Sequence, residues 1–362
     1  MNRFFHLLRS GLWGYPANPE LFAGMKRAEW ERLYETASQQ AVLGVVYDGL
    51  STLPAELQPE RTLLLQWFMQ VVRIENNNRK INQAITRFDS EMRSLGIEYM
   101  LLKGPGVATF YPNPLHRQTG DIDIFLLTPE ADRAANLWAE VEGSEHSVSV
   151  KHTGFRWNDV SYELHHRTDD LHNPFVCHKA ELHRRQCAAE SGPTTVSING
   201  HDIATLAPEA NFFYMMMHIF SHLMTGGIGL RQFCDCALYI AAHEGQFDNQ
   251  RLQALFQSVG LTRFADAFAA ILTDYLDLAP NLIPYAYQSD ELAEEMLRDI
   301  MAGGNFGAYH HRGRAPRGKW LHKLHTTRII LKRCLRFSGL GLREAAWLPA
   351  YYVVRNVQLL VR

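Results

Sequence analysis

Strand-like sequence is confined to one stretch of this 362-residue chain, residues 97–206, and helix-like sequence lies on both sides of it. Segregated elements of this kind point to an α+β architecture rather than a doubly wound sheet. Upstream, Arg61–Ser94 contains neither Pro nor Gly. Its apolar residues Leu64, Trp67, Phe68, Val71 and Val72, then Ile81, Ile85, Phe88 and Met92, recur at three- and four-residue steps. That is the spacing of an amphipathic helix. A break or turn is expected near Asn76–Asn78, and a stop at Gly96.

Within 97–206, IEYMLL reads as a strand, KGPG as a turn and VATFYP as a short helix ending before Pro112. NPLHRQTG is a loop and DIDIFLL a second strand. Thr128 can cap a helix whose first residue is Pro129 and which runs to about Glu142. SVSVKH, GFRWND and VSYELHH are three further β-type segments, and NPFVCHKAELHRRQ is mixed in character. Asn199-Gly200, flanked by alternating apolar residues, marks a hairpin. From Pro208 onward the chain reads as successive helices. The expected organisation is an N-terminal helical region (1–95), a small mixed-sheet α/β core (96–206), a C-terminal helical domain (207–311) and a basic helical tail (312–362).

The acids of the second strand carry the chemistry. Asp121 and Asp123 are two apart, so alternation puts both on one face while Ile122, Ile124 and Leu126 take the other. Neighbouring carboxylates repel, and each resists desolvation. A hard cation removes both penalties, and Mg²⁺ characteristically takes carboxylates together with substrate phosphates. An Asp-x-Asp tripeptide is weak alone, and context strengthens it. In VSYELHH, Glu163 shares a face with Ser161 and His165, opposite Val160, Tyr162 and Leu164. If this strand lies beside DIDIF, Glu163 completes a three-carboxylate cluster and His165 is placed to touch substrate. The alternative for Glu163 is a solvent-facing position on a wet sheet face. Earlier, a strand ends in Lys103-Gly104 before a short helix. Glycine permits close approach of a phosphate there, and Lys103 adds a point charge; a plain strand–turn–helix connection would use the same residues.

Taken together, LLKGPGVATFYPNPLHRQTGDIDIFLL and VSYELHHR resemble the uncharacterised bacterial nucleotidyltransferase family of the DNA polymerase β-like superfamily. The resemblance extends less specifically over roughly residues 30–330. It implies a small mixed-sheet nucleotidyltransferase core flanked by helical regions. It also implies an enzyme dependent on Mg²⁺ (or Mn²⁺) that moves a nucleoside monophosphate from an NTP to an acceptor by a two-metal mechanism. Asp121 and Asp123 would bind the two ions. Glu163 would ligate one of them and help deprotonate the acceptor. Gly104 would occupy the glycine of the phosphate-binding turn. The usual Gly-Ser or Gly-Gly of that turn is Gly104-Pro105 here, which removes an N–H donor and supplies no hydroxyl. Phosphate binding is then expected to rest on Lys103 and Arg117.

Two alternatives remain beside this reading. One is a nucleotidyltransferase fold kept for regulation or scaffolding, which the altered turn favours and the intact acids disfavour. The other is a nucleotide-sugar glycosyltransferase, which also uses Asp-x-Asp, but at the end of an apolar strand in a parallel sheet. Here the apolar run follows the acids, and helices fill the first 95 residues. The acceptor stays open between a sugar, a small metabolite, a protein side chain and an RNA end.

Other features carry less. His218 and His222 are four apart on a helix but lack the Glu of a zinc-protease motif. His165, His166, His172, His178 and His183 are irregularly spaced, which argues against a zinc site. Met215–Met217 read as core filler. The five cysteines, odd in number and without a CxxC pair, indicate neither a disulfide framework nor a zinc ribbon and fit a reducing compartment. MNRFFHLLRSGLWG is a poor signal peptide, and no apolar run approaches the roughly 18 residues that span a bilayer. A soluble cytoplasmic protein is expected. The net charge of −2 excludes a uniformly basic coat protein for nucleic acid, yet residues 312–362 hold twelve Lys or Arg and one acid, Glu344. This tail is +11 against −13 for the rest. Arg328, Lys332 and Arg336 repeat at four residues and make one helical face cationic. Its anionic partner is the acidic body, a polyanionic acceptor or a lipid surface. The body is always present, so the tail is expected to pack on the helical domain beside the active cleft and to help attract triphosphate.

Overall fold

The computed structural model describes residues 2–149, 151–168, 171–288, 291–310 and 319–361. The chain opens with helices α1 (Asn2–Trp13), α2 (Arg27–Gln39), α3 (Leu43–Ser51) and α4 (Arg61–Ser94). Then follow β1 (Tyr99–Leu102), α5 (Gly104–Ala108), β2 (Ile122–Leu126) and α6 (Pro129–Glu142). Next come β3 (Ser144–Val148), β4 (His152–Trp157), β5 (Val160–His165), α7 (Pro174–Ser191), β6 (Thr194–Ile198) and β7 (His201–Thr205). The remainder is helical: α8 (Pro208–Thr225), α9 (Leu230–Ala242), α10 (Asn249–Val259), α11 (Thr262–Asp274), α12 (Leu292–Gly303), α13 (Lys319–Arg336) and α14 (Leu342–Val361). The architecture is α+β, and the chain divides into two compact units. One comprises Met1–Ser38, Val42–Thr168 and Arg184–Phe213; the other comprises Gln39–Ala41, Asp169–His183 and Tyr214–Arg362.

The first unit is built on the sheet. Among the described residues its strands run in the order β3-β4-β5-β2-β1-β7-β6. β2 is central, antiparallel to β1 and parallel to β5. Alternation along β2 sends Ile122, Ile124 and Leu126 into a core with Ile81, Ile85, Phe88 and Met92 of α4 and Ala131, Ala135 and Ala139 of α6. The same alternation leaves Asp121 and Asp123 for the opposite face. Thr128 caps α6 as expected, its Oγ1 accepting from Ala131 N at 3.1 Å. The hairpin between β6 and β7 turns on Asn199 (φ 50°) and Gly200 (φ 78°), the two positive φ values of a type I′ turn.

Local propensity misleads at four places. α4 is continuous through Asn76–Asn78, where a break was expected. Asparagine disrupts helices by bonding to nearby backbone, but here Asn77 and Asn78 donate outward instead. Asn77 Nδ2 donates to Thr119 O at 3.0 Å, and Asn78 Nδ2 to Leu115 O and Arg117 O at 2.7 Å each. α5 starts at Gly104 rather than Val107, because Lys103 and Gly104 complete the turn with positive φ and Pro105 suits a first helical turn. SVSVKH is not one strand, since Ser149 Oγ accepts from Lys151 N and His152 N and turns the chain between β3 and β4. The mixed segment after Asn173 is helix α7, begun by Pro174 and capped by Asn173 Oδ1 accepting from Phe175 N.

The second unit is helical. Met215–Met217 are buried, as their composition suggested. Asp299 of α12, almost wholly buried, pairs with Arg333 Nη2 at 2.6 Å and with Arg336 Nη1 at 2.8 Å, and Arg336 also meets Glu295 at 2.8 Å. The cationic helix α13 therefore finds acids within its own unit, while Arg328 and Lys332 are exposed. Arg312, Arg314 and Arg317 lie outside the described residues. All five cysteines are buried, and none is joined in a disulfide. No helix among the described residues is long and apolar enough to cross a membrane.

Candidate active site

The register of three strands assembles the acids. Asp123 is the partner of Glu163 across the parallel β2–β5 pair, and of Leu102 across the antiparallel β1–β2 pair. Residues in register on neighbouring strands point to the same face, so Asp123 and Glu163 stand side by side. Asp121, at the entrance to β2, reaches the same place. One ligand oxygen from each of the three lies within 4.8 Å of the others. Asp123 is the inner member, at 1% exposure, while Asp121 and Glu163 reach solvent.

Two cations of the protein sit on the inner carboxylate. Lys103 follows directly on Leu102, the residue opposite Asp123, at the point where the chain leaves the sheet. Its backbone takes φ 31°, a strained value for a residue with a side chain. Its Nζ lies 3.2 Å from Asp123 Oδ1. Gly104 also takes positive φ, at 48°, and passes close to the Asp121 carbonyl. From β5, His165 Nε2 lies 3.0 Å from Asp123 Oδ1 and 3.3 Å from Glu163 Oε2. Burial pushes the His165 imidazole toward neutrality, but its hydrogen bonds with Asp123 and Glu163 outweigh that and lift its pKa to about 9. The ring is an imidazolium at neutral pH, holding both carboxylates at once.

The structure thus brings together Lys103, Asp121, Asp123, Glu163 and His165, with Gly104 beside them. Arg117 is placed differently. It is buried in the loop ahead of β2, where its Nη1 donates to Thr119 Oγ1 at 3.1 Å and its carbonyl accepts from Asn78. It shapes the approach to Asp121.

Two groups of residues join the site without a signal in the sequence. His152 of β4 is the register partner of His165, and its Nδ1 lies 3.6 Å from Glu163 Oε2. The other group anchors the loop. His116 Nδ1 meets Asp48 Oδ1 at 2.7 Å, and its Nε2 meets Glu75 Oε1 at 2.9 Å. With an acceptor at each nitrogen, the ring carries both protons. Burial opposes that charge, but the two carboxylates outweigh it and raise the His116 pKa. Gly44 of α3 packs so closely on His116 that an added Cβ would stand 2.3 Å from its carbonyl oxygen. The segment leading to Asp121 is therefore fastened to α3 and α4 before it enters the sheet.

Residues 26–277, a span that holds all of these side chains, match a family described as uncharacterised nucleotidyltransferases. No curated protein matches the chain. Among solved structures, the chain is similar to an antigenic nucleotidyltransferase-like protein from Paracoccidioides brasiliensis. The two are 16% identical with a TM-score of 0.37, over 57% of this chain and 94% of that one.

Proposed function

Since the chain belongs to the family of uncharacterised nucleotidyltransferases, we propose that Asp121, Asp123 and Glu163 hold the divalent cations of an enzyme that moves a nucleoside monophosphate from an NTP to an acceptor. The observation that carries this reading is the in-register pairing of Asp123 with Glu163, with Asp121 beside them. The donor set fits the group. It is all oxygen and three carboxylates converge, so a hard cation such as Mg²⁺ or Mn²⁺ suits it. When bound, such ions supply Lewis-acid neutralisation of the triphosphate and of the departing pyrophosphate.

The side chains provide positioning and charge, which dominate in transfers at phosphorus. Lys103 leaves Asp123 and turns to the phosphates, with Gly104 allowing their close approach. Pro105 lacks an N–H, so the turn offers one donor fewer than it otherwise would, and Lys103 carries more of the phosphate binding. Glu163, reaching solvent, accepts the proton of the acceptor hydroxyl. His165 keeps its Nε2 proton between Asp123 and Glu163 and fixes their orientation.

A second reading is favoured by the same Pro105: a nucleotidyltransferase fold retained for regulation or scaffolding. One experiment separates the two. Each of the four NTPs, labelled at the α-phosphate or at the γ-phosphate, is incubated with Mg²⁺ and protein, with and without cell extract. Nucleotidyl transfer puts the α-label into a product and the γ-label into pyrophosphate. Label in no product with any NTP, or an equal yield from the D121N/D123N variant, would sink the proposal.

A further inference from the structure

We propose that His152, Glu163 and His165 form a second cation site, one that takes a borderline transition metal such as Zn²⁺ and shares Glu163 with the three-acid cluster. The three side chains come from two adjacent antiparallel strands, and each offers a ligand atom within 4.8 Å of the other two. Both rings face the same oxygen. His165 Nε2 is 3.3 Å and His152 Nδ1 is 3.6 Å from Glu163 Oε2. Zinc–nitrogen and zinc–oxygen bonds of about 2.0–2.2 Å set neighbouring corners of a tetrahedron about 3.3–3.6 Å apart. Two edges of a tetrahedral site are therefore already at length.

The chemistry of the donors separates this site from the all-oxygen one. Imidazole nitrogen favours zinc, cobalt and related ions over magnesium. Three protein ligands leave a fourth position open to water or substrate, the pattern of exchangeable rather than purely structural zinc. On binding, the metal replaces the Nε2 proton of His165, which leaves to solvent, and the hydrogen bond from that nitrogen to Asp123 is lost. Glu163 cannot serve both sites fully, so a transition ion withdraws it from the acid cluster and acts as an inhibitor. This last consequence rests on the proposed function; the binding itself does not. Spacing along the chain conceals the site, because His152 lies outside the His-rich stretch and is joined to it only by strand pairing.

The test begins with Zn²⁺ calorimetry and Co²⁺ absorption on the full chain without nucleotide. One ion per chain is expected, and X-ray absorption should find two imidazoles at about 2.0 Å around it. His152→Ala should weaken binding at least about tenfold, the scale on which disturbing a metal site acts. His152→Cys, which exchanges one zinc ligand for another, should restore most of it. The rings of His218 and His222, 4.4 Å apart on α8, are one competing pair of imidazoles. His218→Ala/His222→Ala should therefore keep the wild-type affinity. Unchanged affinity in His152→Ala, or fewer than two imidazoles around the ion in the wild type, overturns the proposal, and the second readout needs no variant to fold. In the transfer assay, Zn²⁺ inhibition should be relieved in His152→Ala, and inhibition undiminished in that variant overturns the competition. An inactive wild type would count against the proposed function and leave the titration standing.

Discussion

Glu163 is the register partner of Asp123 across the parallel β2–β5 pair, which places two carboxylates shoulder to shoulder on the sheet face away from the α4–α6 core. Like charges directly opposite each other destabilise a sheet. The protein offsets them with Lys103 and His165, both on Asp123 Oδ1. Under the proposed function, a divalent cation takes over this task and releases Lys103 for the phosphates.

That exchange has a thermal signature. Lys103→Met removes one of the two cations from a buried carboxylate, a loss of about 1–3 kcal/mol for a charged hydrogen bond. His165 stays on the same oxygen, which keeps the loss below the roughly 3–5 kcal/mol of a fully orphaned buried charge. The variant should melt lower than the wild type without divalent cations, and Mg²⁺ should raise its Tm by more than it raises the wild type's. Equal increments would mean that metal and Lys103 do not compete for Asp123.

Asn78 holds two carbonyls of the loop that delivers Asp121. Asn78→Ala should cost about 1–3 kcal/mol, because it removes two short hydrogen bonds to the loop, leaving Arg117 O only its longer bond from Thr119 Oγ1. Hydrogen exchange in a peptide covering 113–121 should accelerate, while exchange in the β6–β7 hairpin stays as it was. Unaltered exchange in 113–121 would show that the loop is held by other means.

The His116 bridge makes stability depend on pH. Its pKa is raised above 6.5, so its contribution is complete below that value and fades as pH rises through the folded-state pKa. Glu75 is shifted the other way, below 4.5, chiefly by its hydrogen bond from His116. Its contribution is complete above 4.5 and fades as pH falls through its folded value. The two windows overlap between 4.5 and 6.5. His116→Gln should therefore destabilise most near the middle of that window, by about 2 kcal/mol for charged hydrogen bonds, and progressively less toward alkaline pH. Denaturant unfolding across the pH range checks this, and a difference constant with pH would contradict it.

Much of this site is legible in the sequence, for identifiable reasons. Period-two alternation places Asp121 and Asp123 opposite Ile122 and Ile124, and Glu163 beside His165, before any fold is known. What alternation cannot supply is register. His152 is unremarkable until β4 pairs with β5 and sets it against His165. His116, Asp48 and Glu75 come from a loop and two helices, and no local pattern links them. Asn76–Asn78 read as a helix breaker because local propensity knows nothing of the loop carbonyls that Asn77 and Asn78 bind. The partners of the basic tail were legible only as a total, the −13 of the body, whereas the structure identifies Asp299 and Glu295 for Arg333 and Arg336.

The Asp299 network should behave as a buried ion pair. Asp299→Asn leaves Arg333 without its charge partner in a buried setting, at a cost of about 3–5 kcal/mol. Replacing both ends with apolar residues, as in Asp299→Leu/Arg333→Met, should cost less than the single change, because no charge is then stranded. Urea unfolding of the set decides it, and a double variant as unstable as the sum of its singles would contradict the pairing.

The central claim is that Asp121, Asp123 and Glu163 form a divalent-cation site. Titrating Mn²⁺ into the wild type, D121N/D123N and E163Q, with free Mn²⁺ followed by electron paramagnetic resonance, tests it most directly. The account predicts Mn²⁺ bound by the wild type, affinity lower by at least about tenfold in both acid variants through loss of charged oxygen ligands, and binding retained in His152→Ala. Equal Mn²⁺ affinity in the wild type and D121N/D123N would contradict it.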